Sequence, residues 1–457
     1  MRQTVVGLSF LGPRLDLSST WIPHDFVLAA IPAKMVTMST DLTLCDPSEL
    51  GFDPKRLARI DSFINERYLE TGRFPGFSLL VSRRGQIAHL STQGYQSVET
   101  QTPMTKDTIV RIYSMSKPIT SVALLTLYEQ GLFGLDDPVS SLIPSWKDLQ
   151  VWHDGSPISY NTRPPEREMT VRDLFTHTSG LSYSWMQRHP VDTLYRRRGL
   201  DAGHKLEDWV EILADIPLLF SPGSQWSYSV ATDVLGRLVE IVSGKSFDQF
   251  LAEQIFEPLQ MVDTAFHVSD DKADRFASNY VLPSLSPFGV PEGASGDDMV
   301  LLDDSGDNSP QRRPPRFLSG GGGLMSTMAD YHRFTQMLLN KGELDGARIL
   351  GRKTVEWATS NHLPNNQDLA AMGQAVFSET TYDGIGFGLG FSVVLDPAAA
   401  QVISSPGSFA WGGAASTLFW IDPVEELTVI GLTQLMPSSA YPVRQEIQQL
   451  VYSALVD

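Results

Sequence analysis

The segment 111-RIYSMSKPITSVALLTLYEQG-131 sets two serines and a lysine at the mouth of an otherwise apolar helix. A serine hydroxyl is a poor nucleophile until a base takes its proton, and an amine withdrawn from water is a candidate for that base. A spacing of three puts Ser114 and Lys117 on one helical face a turn apart, within reach of each other. Pro118 fixes where the helix begins, because its ring clashes with the carbonyl four residues earlier and it donates no hydrogen bond, so it belongs in a first turn. The helix therefore starts near Ser114, where its dipole favours negative charge. Val122, Leu124, Leu125 and Leu127 anchor the pair on a buried element. This chemistry is that of a serine attacking a carbonyl. The same spacing also fits a serine that only caps a helix and a lysine that only meets water. A second copy, Ser269 to Lys272 in SDDKADR, has no apolar helix after it and reads as chance. No GxSxG occurs, so a nucleophile elbow is absent.

Other segments must position such a pair. Asp53-Pro54 is a cap followed by proline at the first helical position, and Leu57, Ile60, Phe63 and Ile64 recur at helical spacing until Gly72. Phe77 to Ser82 and Gln86 to Ser91 flank Arg83-Arg84-Gly85 and read as a hairpin. Phe391 to Leu395, Ser416 to Ile421 and Leu427 to Leu432 read as strands, followed by a helix from Pro442 with Val443, Ile447, Leu450 and Val451 on one face. Strands at both ends and a mainly helical middle imply one α/β domain from 46–135 and 320–457, with a helical domain inserted at 136–319. Within the insert, 282–316 is rich in Pro, Ser, Gly and Asp and reads as a long surface loop. Residues 1–45 read as a loosely ordered extension. The active cleft is expected between the two domains.

Composition narrows the chemistry. Of 457 residues, 35 are basic and 53 acidic, and the net charge of −18 repels phosphate backbones and anionic lipid, so neither nucleic acid nor membrane is an expected partner. Cys45 is the only cysteine, which excludes an internal disulfide and a thiolate cage for zinc. The nine histidines form no HExxH, so no metal is expected. Gly320 to Gly323 lacks the GK[ST] ending of a phosphate cradle and reads as a turn into the helix at Met328 to Leu339. No cofactor is implied. Acidic composition and a lone thiol point to the cytoplasm, while the apolar 4-TVVGLSFLG-12 leaves export open. The sequence sets no oligomeric state.

YSMSK with PITSVALLTLYEQGLFGLDDPV, then LFTHTSGL at 174–181, PGSQWSYS at 222–229 and GGGLMSTMADYHRF at 321–334, resembles the serine β-lactamase and penicillin-binding-protein superfamily. The branch it resembles is that of class C β-lactamases and family VIII carboxylesterases, over about residue 50 to the C-terminus. The resemblance implies a β-lactamase/transpeptidase-like fold, an antiparallel sheet flanked by helices with an inserted mainly helical domain. It implies Ser114 as the acylated nucleophile and Lys117 as its partner. Tyr228-Ser229-Val230 matches the family's tyrosine motif, and a phenol beside a cation can take the serine proton and return it to a leaving group. The third motif, KTG in β-lactamases, stands here as Trp411-Gly412-Gly413. Glycines let the strand approach a substrate closely, and the amides of Ala414 and Ser114 would form the oxyanion hole. His177 in THTSG is expected to be structural.

Two departures bear on substrate. Val230 replaces an asparagine that would bond an amide side chain, and Trp411 replaces a lysine that would bind a carboxylate, which disfavours penicillins and cephalosporins. Trp411, with Trp226, Tyr183, Trp185 and Phe409 as cleft walls, suits a small-molecule ester with an apolar portion. The resemblance thus implies an ester hydrolase. β-Lactam or D-amino-acid peptide cleavage, acyl transfer to an alcohol, and a non-catalytic scaffold are its rivals.

Overall fold

The computed structural model describes residues 42–200, 203–286, 291, 293–373 and 382–457. Most of the expected 1–45 extension lies outside the described residues. Packing begins earlier than the sequence suggests, since the amide of Cys45 donates to the carbonyl of Ile87 at 2.9 Å.

One antiparallel sheet carries the molecule. Its strands are β1 (Gly76–Arg83), β2 (Gln86–Ser97), β3 (Thr102–Pro103), β4 (Ile385–Phe387), β5 (Ser392–Val394), β6 (Phe409–Gly412), β7 (Leu418–Asp422) and β8 (Leu427–Leu432). They lie in the order β4-β5-β6-β7-β8-β1-β2-β3, so β1 from the start of the chain pairs with β8 from its end. Side chains alternate across a strand. Phe77, Leu79 and Val81 accordingly pack with Ile60, Ile64 and Val451 on one face. Leu80 packs on the other with Val122, Leu125, Phe334 and Ile430. With both faces covered, every residue of β1 is buried, including Ser78, Ser82 and Arg83.

Four helices matter for the site: α1 (Ser116–Glu129), α2 (Ala231–Ser243), α3 (Met328–Leu339) and α4 (Val443–Ser453). Residues 116–127 of α1 are all buried, and Val122, Leu124 and Leu125 join Val234, Leu235 and Leu238 of α2 in one core. Each fully buried leucine stabilises the fold by roughly 1.5–3 kcal/mol. The helix after Asp53 runs from Pro54 to Leu69 in three pieces, with the Asp53 carboxylate capping the Lys55 and Arg56 amides.

Two segments differ from expectation. The 282–316 stretch contains a strand, Val300–Asp303, which pairs with Asn279–Val281, and the latter runs parallel to Leu435–Met436. The run Val300-Leu301-Leu302 suffices for a short strand once a partner edge is present, and the surrounding Pro, Gly and Asp hide it. Residues Val151–Ser156 and Ser159–Arg163 form a hairpin turning at Pro157-Ile158 in what reads as helical territory. Among the described residues no helix is long and apolar enough to cross a membrane.

Candidate active site

Ser114 lies in a single 3-10 turn, Tyr113–Met115, that leads directly into α1. Tyr113 adopts φ +44°, a left-handed conformation that costs a non-glycine residue roughly 1–2 kcal/mol. Its hydroxyl accepts from Asn279 Nδ2 at 2.8 Å, which helps hold that turn. The mouth of α1 is stitched to the 320–324 loop: Thr120 Oγ1 donates to Gly320 O at 2.8 Å and the Leu324 amide donates to Ser116 Oγ at 3.2 Å. Lys117 is 1% exposed. Its Nζ donates to Ser114 Oγ at 3.2 Å and to Gly321 O at 2.6 Å. A buried amine satisfied by a fixed carbonyl on one side is aimed at the serine on the other.

The hydroxyl of Tyr228, from the turn before α2, donates to Ser114 Oγ at 2.7 Å. Lys117 Nζ sits 4.6 Å from the centre of the Tyr228 ring. That ring is held on several sides, by His177 at 5.1 Å, Tyr183 at 5.4 Å, Trp411 at 5.5 Å and Trp226 at 6.2 Å between centroids. His177 is buried, its Nδ1 lies 3.1 Å from Ser229 Oγ, and its carbonyl accepts the Ser227 amide at 2.9 Å. Burial, then the Lys117 charge, pushes the imidazole well below its ordinary pKa, so the ring is neutral and acts as packing beneath Tyr228. Burial also drives the Tyr183 phenol well above its usual value, with Tyr228 and Asp233 adding to the effect.

Trp411 and Gly412 end β6 opposite Phe419 and Leu418. A Cβ on Gly413 would fall 2.2 Å from Thr417 Oγ1 and 2.5 Å from Ile112 O, so glycine is what lets this strand meet the segment carrying the nucleophile. Arg444 of α4 donates Nη2 to the carbonyls of Gly413 and Thr417, both at 3.1 Å, and braces the strand tip. Ser114, Tyr228, Trp411, Gly412, Gly413 and Ala414 all line one cavity of about 380 Å³.

The profile of the family described as Beta-lactamase matches residues 64–452. The chain belongs to the Beta-lactamase family. Esterase EstB of Burkholderia gladioli is 32% identical over 401 residues, 85% of this chain and 93% of that protein. Protein Rv1367c of Mycobacterium tuberculosis is 34% identical over 371 residues, 80% and 88% of the two chains. The solved structure of EstCE1, described as a hydrolase with promiscuous acyltransferase activity, superposes with a TM-score of 0.70 at 28% identity, over 87% of this chain and 99% of that one.

Within this Beta-lactamase family site, some expected residues stand elsewhere. Trp226 is 2% exposed and stacks behind Tyr228 rather than lining the cavity. Val230 is the N-cap of α2, its amide given to Ser182 O, and it too lies off the wall. Phe409 points into the core with Phe391. The reason is shared: each belongs to an element whose buried face is set by packing, not by its nearness in sequence to a motif. Tyr183 and Trp185 do line the cavity. Sequence reasoning missed Ile385, Val394 and Tyr382 on its apolar wall, and Arg444 and Asp233 among its polar groups. Ile385 sits in GIGFGLG, where glycines mask a strand, and Asp233 reads as an ordinary acid in the first turn of a helix. Lys272 of the second SxxK copy is engaged with Val262 O and Asp263. Among the described residues no three His, Cys, Asp or Glu side chains gather as metal ligands.

Proposed function

We propose that this protein is a serine carboxylesterase acting through an acyl-enzyme on Ser114. The observation that carries the reading is the convergence of Tyr228 OH and Lys117 Nζ on one hydroxyl oxygen, at 2.7 and 3.2 Å. Tyr228 first gives its own proton to the Lys117 amine, and as phenolate it takes the Ser114 proton while Oγ attacks the ester carbonyl. The tetrahedral oxygen is held by the Ser114 and Ala414 amides. Tyr228 returns the proton to the departing alcohol as the C–O bond breaks, and water repeats the sequence to free the acid. Trp411 offers no cation for a β-lactam carboxylate, and Tyr183, Trp185, Tyr382 and Ile385 supply apolar walls. EstB is named an esterase, in keeping with this reading.

Acyl transfer to an alcohol uses the same groups with water replaced, and the description of EstCE1 favours it as the second reading. Turnover of short and long p-nitrophenyl esters beside a chromogenic cephalosporin, for wild type and Ser114→Ala, separates the possibilities. Ester cleavage is expected in wild type and a loss on the order of 10⁴ or more in Ser114→Ala. Rapid cephalosporin hydrolysis with negligible ester cleavage overturns the substrate class. An added alcohol that diverts the acyl group into a new ester at the expense of free acid would favour the transferase.

A further inference from the structure

Asp233 is a carboxylate that the acyl chemistry above leaves without a task. It is 3% exposed and borders the cavity from the first turn of α2. Its Oδ1 accepts from Ser319 Oγ at 2.6 Å and from the Gly321 amide at 2.9 Å. Gly321 is the same residue whose carbonyl accepts from Lys117 Nζ at 2.6 Å. One residue thus has the carboxylate bound to its N–H and the catalytic amine bound to its C=O. The contact is tight: a Cβ on Gly321 would lie 2.7 Å from Asp233 Oδ2, so only glycine permits it.

A buried carboxylate is costly unless it is hydrogen-bonded and near an opposite charge. Burial raises the Asp233 carboxyl above the usual carboxylate range, and Lys117, Ser319 and Gly321 oppose that rise. The other titratable or charged groups facing this space are Tyr183 and Tyr228, whose rings both lie under Lys117 Nζ, His177, which is neutral, and Tyr113 and Arg444 on the cavity wall. Asp233 is therefore the one negative group set against Lys117 among them.

We propose that Asp233 is a positioning residue for the proton relay: as an ionised carboxylate it fixes Gly321, through Gly321 it fixes Lys117 against Ser114, and it supplies the counter-charge of Lys117. This rests on the reading of Ser114 as nucleophile. Asp233→Asn keeps an acceptor for Ser319 and Gly321 and removes only the charge. Asp233→Ser, smaller and also uncharged, is the second probe.

The experiment measures kcat and KM of the full chain on p-nitrophenyl butyrate from pH 5 to 10, with Tm and intact mass after an acylating inhibitor. Both variants are expected to lose at least about tenfold in kcat with KM within about twofold. The acid limb of the pH profile moves to lower pH, because removing a negative charge from the site lets its protonated groups release protons more readily. Wild-type kcat and an unmoved limb in Asp233→Asn overturn the proposal. So does a rate loss with an unmoved limb and a fall in Tm, which describes a loop anchor. Absence of a wild-type adduct on Ser114 overturns the underlying reading instead, so the two failures are distinct.

Discussion

Replacing Tyr228 by phenylalanine removes one oxygen and little else. The ring is fixed by His177, Tyr183, Trp411 and Trp226, so phenylalanine is expected to occupy the same place. What is lost is the hydroxyl 2.7 Å from Ser114 Oγ. Lys117 remains 3.2 Å from that oxygen, farther than the phenol and pinned in place by Gly321 O, so it is a poor substitute as a shuttle. A positioned acid or base contributes about 10²–10⁴ in rate, which is about 2.7–5.5 kcal/mol of barrier at about 1.36 kcal/mol per decade. Stability should change by no more than about 1 kcal/mol, the net value of one hydrogen bond. Rapid mixing with p-nitrophenyl acetate separates the acylation burst from steady turnover. Both phases should slow by about 10²-fold or more, since each requires a proton transfer, while substrate affinity and Tm stay near wild type. A folded Tyr228→Phe protein within about threefold of wild type refutes the assignment of the phenol, and an equal loss of binding and rate refutes the claim that the ring keeps its place.

Other perturbations test other links. In Gly413→Ala the new methyl meets Ile112 O and Thr417 Oγ1, so the strand tip must move and carry the Ala414 amide with it. Ester turnover should fall about 10²–10³-fold, as for loss of one oxyanion donor, with Ser114 still present by mass. His332, half-buried in α3 with its Nδ1 shut away from water, has its pKa lowered by desolvation to about 4. Its stabilising contribution is complete above the unfolded value near 6.5 and is lost as pH falls toward 4, in all about 3 kcal/mol. Asp330, two residues earlier, is raised by burial to about 6 and gains stability over nearly the same descent. His332→Leu should therefore gain about 3 kcal/mol relative to wild type between pH 7 and pH 4 in urea titrations; an unchanged difference across that range contradicts the desolvated, neutral imidazole. Ser269→Ala, at the second SxxK, should leave esterase activity within twofold of wild type.

What could be read in advance followed the range of each interaction. Ser114 and Lys117 are three apart across the 3-10 turn that opens α1, so spacing alone brings them together. Tyr228 stands 114 residues away from Ser114, and only the motif resemblance joined them. The strands near Phe77 and Leu427 declared themselves because burial on both faces favours short runs rich in apolar residues, such as Leu79 to Val81 and Val429 to Ile430. The short strand at Val300 and the edge strand at Ile385 did not: the first pairs with 279–281 across a stretch rich in Pro, Gly and Asp, and the second is a short strand of a local hairpin masked by glycines. Trp226 was misplaced because an aromatic beside a catalytic residue in sequence can face either the ligand or the core. Asp233 was invisible because its partners, Ser319 and Gly321, come from a loop nearly ninety residues on.

The pairing of β1 with β8 joins Ser78 to Leu432 and Arg83 to Leu427, so the centre of the sheet unites segments some 350 positions apart along the polypeptide. Nothing local can rehearse that contact, and proteins dominated by such remote pairings fold slowly. Until the two strands meet, each is a mainly apolar ribbon with a bare edge, the kind of surface on which chains stick to one another. Recovery from denaturant should accordingly depend on protein concentration far more steeply than the hydrolytic machinery itself ever would.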